Sequence, residues 1–300
     1  MRNSISIFAA ISIFLLSGVV SVYAADSPAT FGVFTNPEPV TILGYTGDAM
    51  EPFVSLDGKY LFFNSSNNPP PGTFTQLYYA TSTDDPLTFN FVGEIAGANT
   101  TALDAVASMD INDKFYFVST RSYSTTFSTI YWGDFSGGSL SNVALVPGVS
   151  KDKPGWVNFD AGISPNGNEL YFVDSFFGTT GQPQNAVITI AKRKGDRFVR
   201  LADSKTIMRK INTDGLNYAP CPTASDLEFF FTRLAPGSFP PTPAIYTATR
   251  AKKSEPFGAP VKIAAITGFA EAPTITADGK SLYYHENVNG TFVIYRVSRP

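Results

Sequence analysis

The sequence predicts an all-β fold, a five-bladed β-propeller built from four-stranded antiparallel blades. Three observations support this prediction. A polar turn followed by an aromatic strand recurs five times, the recurrence has a nearly constant spacing, and no stretch after residue 25 keeps the apolar periodicity of an amphipathic helix. A repeat of about 50 residues that holds several short strands is typical of a propeller blade.

The first half of each repeat predicts the two inner strands of a blade. The five copies are EPFVSLDGKYLFF, VASMDINDKFYFV, DAGISPNGNELYF, YAPCPTASDLEFF and EAPTITADGKSLYY. Their turns are separated by 55, 54, 58 and 54 positions, counted from Asp57, Asn112, Asn166, Ala224 and Asp278. Asp-Gly and Asn-Gly suit tight hairpins because both residues tolerate positive φ. Each copy therefore predicts a strand, a tight turn and a second strand.

The second half of each repeat predicts the outer strands. Short aromatic and β-branched runs predict the third strand: QLYYAT, TIYWGD, AVITIA, AIYTAT and FVIYRV. In the first four repeats a phenylalanine-led stretch follows, but the last repeat ends at FVIYRVSRP without one. The stretch FGVFTNPEPVTILGYTG, from Phe31, resembles FGAPVKIAAITG, from Phe257. We therefore predict that residues 31–43 form the outer strand of the last blade and close the ring, which removes an open sheet edge.

The N-terminus has the pattern of a cleaved export signal, which we place at residues 1–24. A weakly cationic start precedes an apolar run over residues 5–20, and small residues follow at Val22 and Ala24. We expect one propeller domain over residues 25–300, located in a periplasm or secreted, with no membrane span after cleavage. The alternative is a retained anchor, although the apolar run is short for a span.

The composition narrows the class of partner. The chain has 22 Lys and Arg against 25 Asp and Glu, and a net charge of −3 argues against a nucleic-acid binder. The single cysteine, Cys221, cannot form an intrachain disulfide. No phosphate-binding loop, nucleophile elbow or zinc-type histidine pair is present, so no cofactor is evident.

Three inner hairpins resemble the TolB-like (WD40-like) propeller repeat. They are PFVSLDGKYLFF, SPNGNELYF and PTITADGKSLYY, and the usual form of that repeat is Pro-x-aromatic-Ser-Pro-Asp-Gly-Lys followed by an apolar strand. The resemblance covers essentially the whole chain after residue 25, and it implies an exported propeller of a family that includes periplasmic binding scaffolds. This chain departs from the best-known relative in having five blades, not six, and no extra domain. The repeat encodes architecture and leaves the activity open.

Acidic residues recur where the chain leads into the innermost strands, and we select four as candidate ligand-binding residues: Glu51, Asp104, Asp160 and Glu271. Propeller geometry predicts that they converge on one central opening. They would bind a divalent cation or a cationic group, supply the acid and base of a glycoside hydrolase, or brace the ring through hydrogen bonds. Five-bladed propellers of the arabinanase and xylosidase type place three acids at this opening, which is an analogy of architecture.

Four further residues are candidates on the same loop-rich face. His285 follows an inner strand and is a candidate ligand or general acid, or a bystander. Arg121 and Arg233 begin comparable loops, where they would grip a carboxylate or phosphate, or pair with the neighbouring acids. Trp156 precedes Asp160 and would stack on a sugar or peptide, or pack against the protein.

These features leave two main classes of function. The leading interpretation is an exported scaffold that binds a protein, peptide or glycan on its loop-rich face. The alternative is a glycoside hydrolase that uses carboxylates at the central opening. A purely structural envelope module differs from the first only in its partner. A pair of these acids at glycosidase separation around an open pocket favours the hydrolase, and a plugged channel favours the scaffold.

Overall fold

The computed structural model describes residues 31–178, 181–237 and 239–300. These residues form five sheets arranged as blades around an axis, which confirms the predicted five-bladed propeller. The predicted export signal, residues 1–24, lies outside the described residues.

Twenty-one strands and two short helices make up the described chain. The N-terminal strands are β1 (Thr35–Pro39) and β2 (Thr41–Leu43). Blade 1 contains β3 (Met50–Val54), β4 (Tyr60–Asn64), β5 (Leu77–Ser82) and β6 (Thr88–Glu94). Blade 2 contains β7 (Asp104–Met109), β8 (Lys114–Ser119), β9 (Ile130–Ser136) and β10 (Ser139–Leu145). Blade 3 contains β11 (Trp156–Ile163), β12 (Glu169–Phe176), β13 (Asn185–Lys194) and β14 (Arg197–Arg200). Blade 4 contains β15 (Leu216–Pro222), β16 (Glu228–Leu234), β17 (Ala244–Thr249) and β18 (Val261–Lys262). Blade 5 contains β19 (Ala270–Ile275), β20 (Ser281–Val288) and β21 (Thr291–Ser298). The helices are α1 (Tyr123–Thr126) and α2 (Ser204–Ile207).

The hydrophobic core lies between the blades and not on the axis. Each second strand carries aromatic side chains that are almost fully buried, such as Phe62 and Phe63 in β4. Five apolar clusters join neighbouring blades. Between blades 1 and 2, for example, the rings of Phe62 and Phe115 meet edge to face with centroids 5.1 Å apart. Because the aromatic residues fill the spaces between blades, the axis itself is left open.

The N-terminal segment closes the ring in a different way from the prediction. Strand β1 pairs with β21 and completes blade 5, as expected. The predicted outer strand over residues 31–43 is nevertheless divided, because β2 turns away and adds a parallel fifth strand to β6 of blade 1. The division falls at Val40, which is buried in the core between blades 5 and 1. Val40 N–H donates to the Ile294 carbonyl at 2.8 Å, and Thr41 N–H donates to the Leu87 carbonyl at 2.8 Å. Consecutive residues therefore bind the last blade and the first.

Every innermost strand contains a β-bulge at the same place. In each blade two residues of the inner strand oppose one residue of the second strand. The first bulge residue has a left-handed backbone in all five blades, with φ between 49° and 59°. These residues are Glu51, Val106, Asp160, Ala219 and Ala272. The bulges mark equivalent depths around the axis.

Candidate acidic site at the propeller axis

Two of the predicted acids lie at equivalent bulge positions. Glu51 and Asp160 are the first bulge residues of blades 1 and 3. Glu271 comes one position before the bulge of blade 5, where it pairs with His285 of the second strand. Asp104 comes two positions before the bulge of blade 2, at Val106. Each residue of a strand advances the chain by about 3.3 Å, so these offsets place the acids at different depths along the axis.

The bulge also supplies hydrogen bonds between neighbouring blades. The N–H of the bulge residue donates to a side chain of the preceding blade in four cases. The pairs are Glu51 with His285 Nδ1 at 3.1 Å, Val106 with Asn64 Oδ1 at 3.1 Å, Ala219 with Asp160 Oδ2 at 2.9 Å and Ala272 with Thr232 Oγ1 at 3.0 Å. His285 and Asp160 therefore brace the ring as well as facing the candidate site.

Glu51, Asp160 and Glu271 form one electrostatic cluster, which we call the axial acid cluster. Burial, followed by the charges of Asp160 and Glu271, raises the pKa of Glu51 well above its usual range. Burial raises the pKa of Asp160 to about 7, with a further contribution from Glu271, although the Ala219 N–H acts in the opposite direction. Buried carboxyl groups that repel one another are not all ionised together at neutral pH.

Glu271 is held by two neighbouring side chains. The Tyr218 hydroxyl donates to Glu271 Oε1, and His285 Nε2 lies 3.2 Å from Glu271 Oε2. Since His285 Nδ1 accepts the Glu51 N–H, a neutral His285 carries its proton on Nε2 and donates it to Glu271. Burial and the charge of Glu271 raise the pKa of Tyr218, so its hydroxyl stays a donor. Each carboxyl oxygen of Glu271 therefore has a hydrogen-bond partner within the protein.

No lysine or arginine side chain pairs with this cluster among the contacts that the structure describes. The groups that shift the pKa of Glu51 and of Asp160 are carboxyls, an asparagine side chain and a backbone amide. Asn67, from the loop after β4, donates to Glu51 Oε1 at 3.1 Å. Perturbed carboxyl groups that share an opening without a counter-ion are typical of a functional site.

Asp104 and Arg121 form a separate pair away from the cluster. Arg121 Nη2 lies 2.6 Å from Asp104 Oδ1, and the carboxylate of Asp104 is fully buried. Thr100 N–H and its hydroxyl donate to the other oxygen of Asp104 at 2.6 and 2.7 Å. With both oxygens occupied, Asp104 braces the start of β7.

Arg233 and Trp156 also have partners within the protein. Arg233 donates to Asn217 Oδ1 at 2.8 Å and to the Ile211 carbonyl at 2.7 Å. Lys151 Nζ lies over the ring of Trp156, 3.3 Å from its centre, and Phe176 packs beside it. The structure therefore brings together Glu51, Asp160, Glu271 and His285, and it places the other four candidates in local contacts.

Sequence analysis did not identify Tyr218 or Asn67 as members of the site. Tyr218 occupies the position in blade 4 that Glu271 occupies in blade 5, since both precede the bulge by one residue. An alignment of NYAPCP with AEAPTI places Tyr218 opposite Glu271, so the equivalence is visible in the sequence. Asn67 lies in a loop without a repeated pattern, so only the folded chain relates it to Glu51.

A cavity of about 700 Å³, including its open mouth, runs along the axis from the bulges toward the tight turns. All five innermost strands line it, and Glu51 and Asp160 lie at its inner end. The channel has an open mouth, which meets one of the two conditions that favour the hydrolase, and the glycosidase separation of the acids stays a prediction.

Two further properties concern metals and membranes. Within residues 31–178, 181–237 and 239–300, no group of three or more His, Cys, Asp or Glu side chains has the arrangement of a metal site. The divalent cation proposed for the channel stays a prediction. The same residues include no helix with the length and apolarity of a membrane span.

Comparisons with known proteins show the fold. No family model matches the chain, and no curated protein matches its sequence. It is similar to the structure of an α-L-arabinofuranosidase from Podospora anserina in complex with cellotriose, with 12% identity, a TM-score of 0.56, and coverage of 92% of this chain and 99% of that one. It is also similar to an endo-arabinase from Bacteroides thetaiotaomicron, with 15% identity, a TM-score of 0.54, and coverage of 88% and 98%.

A TolB structure from Acinetobacter baumannii also matches, with 14% identity, a TM-score of 0.45, and coverage of 84% of this chain and 55% of that one. This likeness is too weak to extend the TolB-like resemblance beyond the propeller architecture. The identities of all three proteins are low, so the comparisons concern the fold and not the activity.

Proposed function

We propose that this protein is a glycoside hydrolase whose proton donor and base come from the axial acid cluster. The observation that carries the proposal is the clustering of Glu51, Asp160 and Glu271, in which Glu51 and Asp160 lie at the inner end of the channel and the charge of Glu271 acts on both. Cleavage of a glycosidic bond needs one protonated carboxyl group and one carboxylate on opposite sides of the bond. A repelling cluster of buried acids supplies both forms at the same pH.

The surroundings suggest a role for each acid. Glu51 is the proton donor in this proposal, because burial and two neighbouring carboxyls favour its protonated form. Glu271 is the base or nucleophile, because the Tyr218 hydroxyl and His285 hold it as an acceptor. Asp160 lies beside Glu51, and its charge, when it is ionised, is the second cause after burial that favours a proton on Glu51.

The second candidate is the scaffold that binds a glycan, peptide or protein without cleaving it. The observation that favours it is that His285 and Asp160 also bond backbone amides of the neighbouring blades. In this interpretation the acids and the histidine stabilise the ring through hydrogen bonds and take no part in a reaction. Export to a periplasm or to the exterior, proposed from residues 1–24, suits either function.

The test compares natural and activated substrates. Arabinan and xylan oligosaccharides are the first natural substrates to assay, since the fold is similar to that of an arabinofuranosidase and an endo-arabinase. Glu51→Gln should lower kcat on these by about 100-fold or more, because general acid catalysis contributes about 10²–10⁴-fold. The same variant should keep most of its activity on 2,4-dinitrophenyl glycosides, whose leaving group needs no proton.

Glu271→Gln should lose activity on both substrate types. Asp196→Asn, at an exposed hairpin turn, is the matched control and should behave as the wild type. Glycan binding by the wild type without any cleavage across the panel would overturn the hydrolase proposal and support the scaffold.

A further inference from the structure

The axial channel continues beyond the acid cluster to the opposite face of the propeller. Its lining contains four consecutive residues from each inner strand, beginning at the bulge. It then reaches the first residue of the tight turn in four blades, at Leu56, Pro165, Ala224 and Ala277. The channel therefore connects the acids to the face that carries the tight turns.

The walls of this channel are apolar at nearly every level. The second bulge residue is proline or alanine in all five blades, and two positions further each blade presents Val54, Met109, Ile163, Pro222 or Ile275. Ser108, one of the few polar side chains of the wall, donates to the Ala161 carbonyl at 2.6 Å. Glu51 and Asp160 are the charged residues among the described lining, and both lie at the inner end.

Such a channel fits an uncharged apolar group better than a sugar. Sugar hydroxyls in an apolar channel would lose their hydrogen bonds to water and find few replacements. Apolar surface gains about 25 cal/mol for each Å² removed from water. Concave sites with apolar walls and a few polar groups at one end are typical of ligand binding.

We infer that the channel binds the apolar leaving group of the substrate, so that the bond to be cleaved joins a sugar on the loop-rich face to an apolar alcohol or phenol. This inference rests on the proposed function, and it names the substrate class as glycosides of apolar alcohols or phenols. Water adds to the anomeric carbon and gives one proton to Glu271, the bond from that carbon to the alcohol oxygen breaks, and Glu51 transfers its proton to the departing oxygen. The free alcohol then lies in the channel, with its hydroxyl beside Glu51 and Asp160.

The equivalent turn positions provide a matched pair of variants. Ala277 is an exposed turn residue at the outer mouth of the channel, so Ala277→Trp would block the mouth at little cost to the fold. Ile111 occupies the corresponding turn position in blade 2, is 71% exposed and does not line the channel. Ile111→Trp therefore adds the same side chain on the same face without blocking the channel.

The binding arm uses 1-naphthol as the probe and calorimetry as the measurement. The wild type should bind it saturably. Ala277→Trp should weaken binding at least tenfold, and Ile111→Trp should leave it unchanged. Absent binding, or equal binding by the two tryptophan variants, would overturn the inference whatever the protein hydrolyses.

The hydrolysis arm uses 1-naphthyl and methyl glycosides of one sugar. The kcat/KM of the wild type should be at least tenfold higher for the naphthyl glycoside than for the methyl glycoside. In Ala277→Trp the ratio of these two kcat/KM values should fall toward one. Cleavage without a preference would leave the hydrolase proposal standing and remove the channel from it. If the channel binds naphthol but the protein cleaves no glycoside, both the assignment of the channel to a leaving group and the hydrolase proposal are overturned.

Discussion

At the scale of single residues, Glu51 and Asp160 lie where the uncharged form of a carboxyl group is favoured. Asp160 is 6% exposed, and burial is the largest cause of its raised pKa. The folded protein therefore holds a proton at Asp160 at pH values where the unfolded chain has released it. Because the folded and unfolded states bind this proton with different pKa values, the free energy of unfolding depends on pH.

This link predicts how stability depends on pH. The pKa of Asp160 is about 7 in the folded protein against an ordinary value of 3.8. The protonated Asp160 therefore adds up to about 4 kcal/mol to the free energy of unfolding. This contribution is fully present below pH 4 and is lost as the pH rises toward 7. Asp160→Asn should remove this part of the pH dependence, and its amide oxygen still accepts the Ala219 N–H.

Urea unfolding between pH 4.5 and pH 8 measures the difference. The control Asp196→Asn changes an exposed carboxyl group and should follow the wild-type profile. Identical profiles for wild type and Asp160→Asn would show that Asp160 is ionised throughout this range.

At the scale of elements, the bulge in each inner strand aims one residue at the axis and frees one backbone N–H. Left-handed backbone costs a non-glycine residue about 1–2 kcal/mol, and this chain places non-glycine residues there in all five blades. The freed N–H groups bind side chains of the preceding blade in four cases. The strained residue and the inter-blade bond therefore come from the same local geometry.

Val106 offers a test of this strain. A β-branched residue is unfavourable at its φ of 59°, so Val106→Gly relieves strain while it removes apolar surface. Because these two effects oppose each other, we expect the free energy of unfolding to change by less than about 1 kcal/mol. The control is Val54→Gly, a buried channel residue without positive φ, which should cost about 2–4 kcal/mol. Equal losses in denaturant unfolding would show that the bulge of blade 2 carries no strain.

The Asp104–Arg121 pair predicts a loss of stability without a direct effect on the site. Asp104→Ala removes a fully buried carboxylate from its arginine and should lower the unfolding free energy by about 3 kcal/mol. Asp134→Ala breaks an ion pair with Lys114 at an aspartate that is 49% exposed, and it should cost less than about 1 kcal/mol. Ligand binding by folded Asp104→Ala should match the wild type, and a specific loss of binding would return Asp104 to the site.

At the scale of the whole molecule, stability depends on the seam between blades 5 and 1. Three sets of hydrogen bonds cross or adjoin this seam. They are the β1–β21 ladder, the two backbone bonds at Val40 and Thr41, and the bond from the Tyr283 hydroxyl to the Pro86 carbonyl at 2.8 Å. The cluster around Val40 adds apolar packing. A ring closed in this way has no unpaired blade edge at the seam.

Removal of residues 31–43 should therefore open the ring. The deletion takes away β1 and β2, exposes the edge of β21 and uncovers the apolar cluster between the blades. We expect aggregation or loss of cooperative unfolding, measured by calorimetry and light scattering against a chain that begins at residue 31. A cooperative transition at an unchanged Tm in the shorter chain would contradict closure by the N-terminal segment.

The repeat was visible in the sequence because strand formation, tight turns and aromatic patterning are local properties. Five copies of the inner hairpin predicted the number of blades, and the missing last strand predicted that the N-terminal segment would supply it. Both predictions are confirmed by the sheets and their register. The export signal at residues 1–24 stays a prediction, since those residues lie outside the described chain.

Tertiary structure alone decided which acids meet. Glu51, Asp160 and Glu271 are far apart in sequence, and a displacement of two positions before the bulge places Asp104 with Arg121 instead. The bulges have no sequence signature here, because glutamate, valine, aspartate and alanine occupy the same left-handed position. The raised pKa of Glu51 and the apolar channel likewise depend on groups from several blades at once. Burial and charge repulsion act through space, and a single sequence lists neighbours only along the chain.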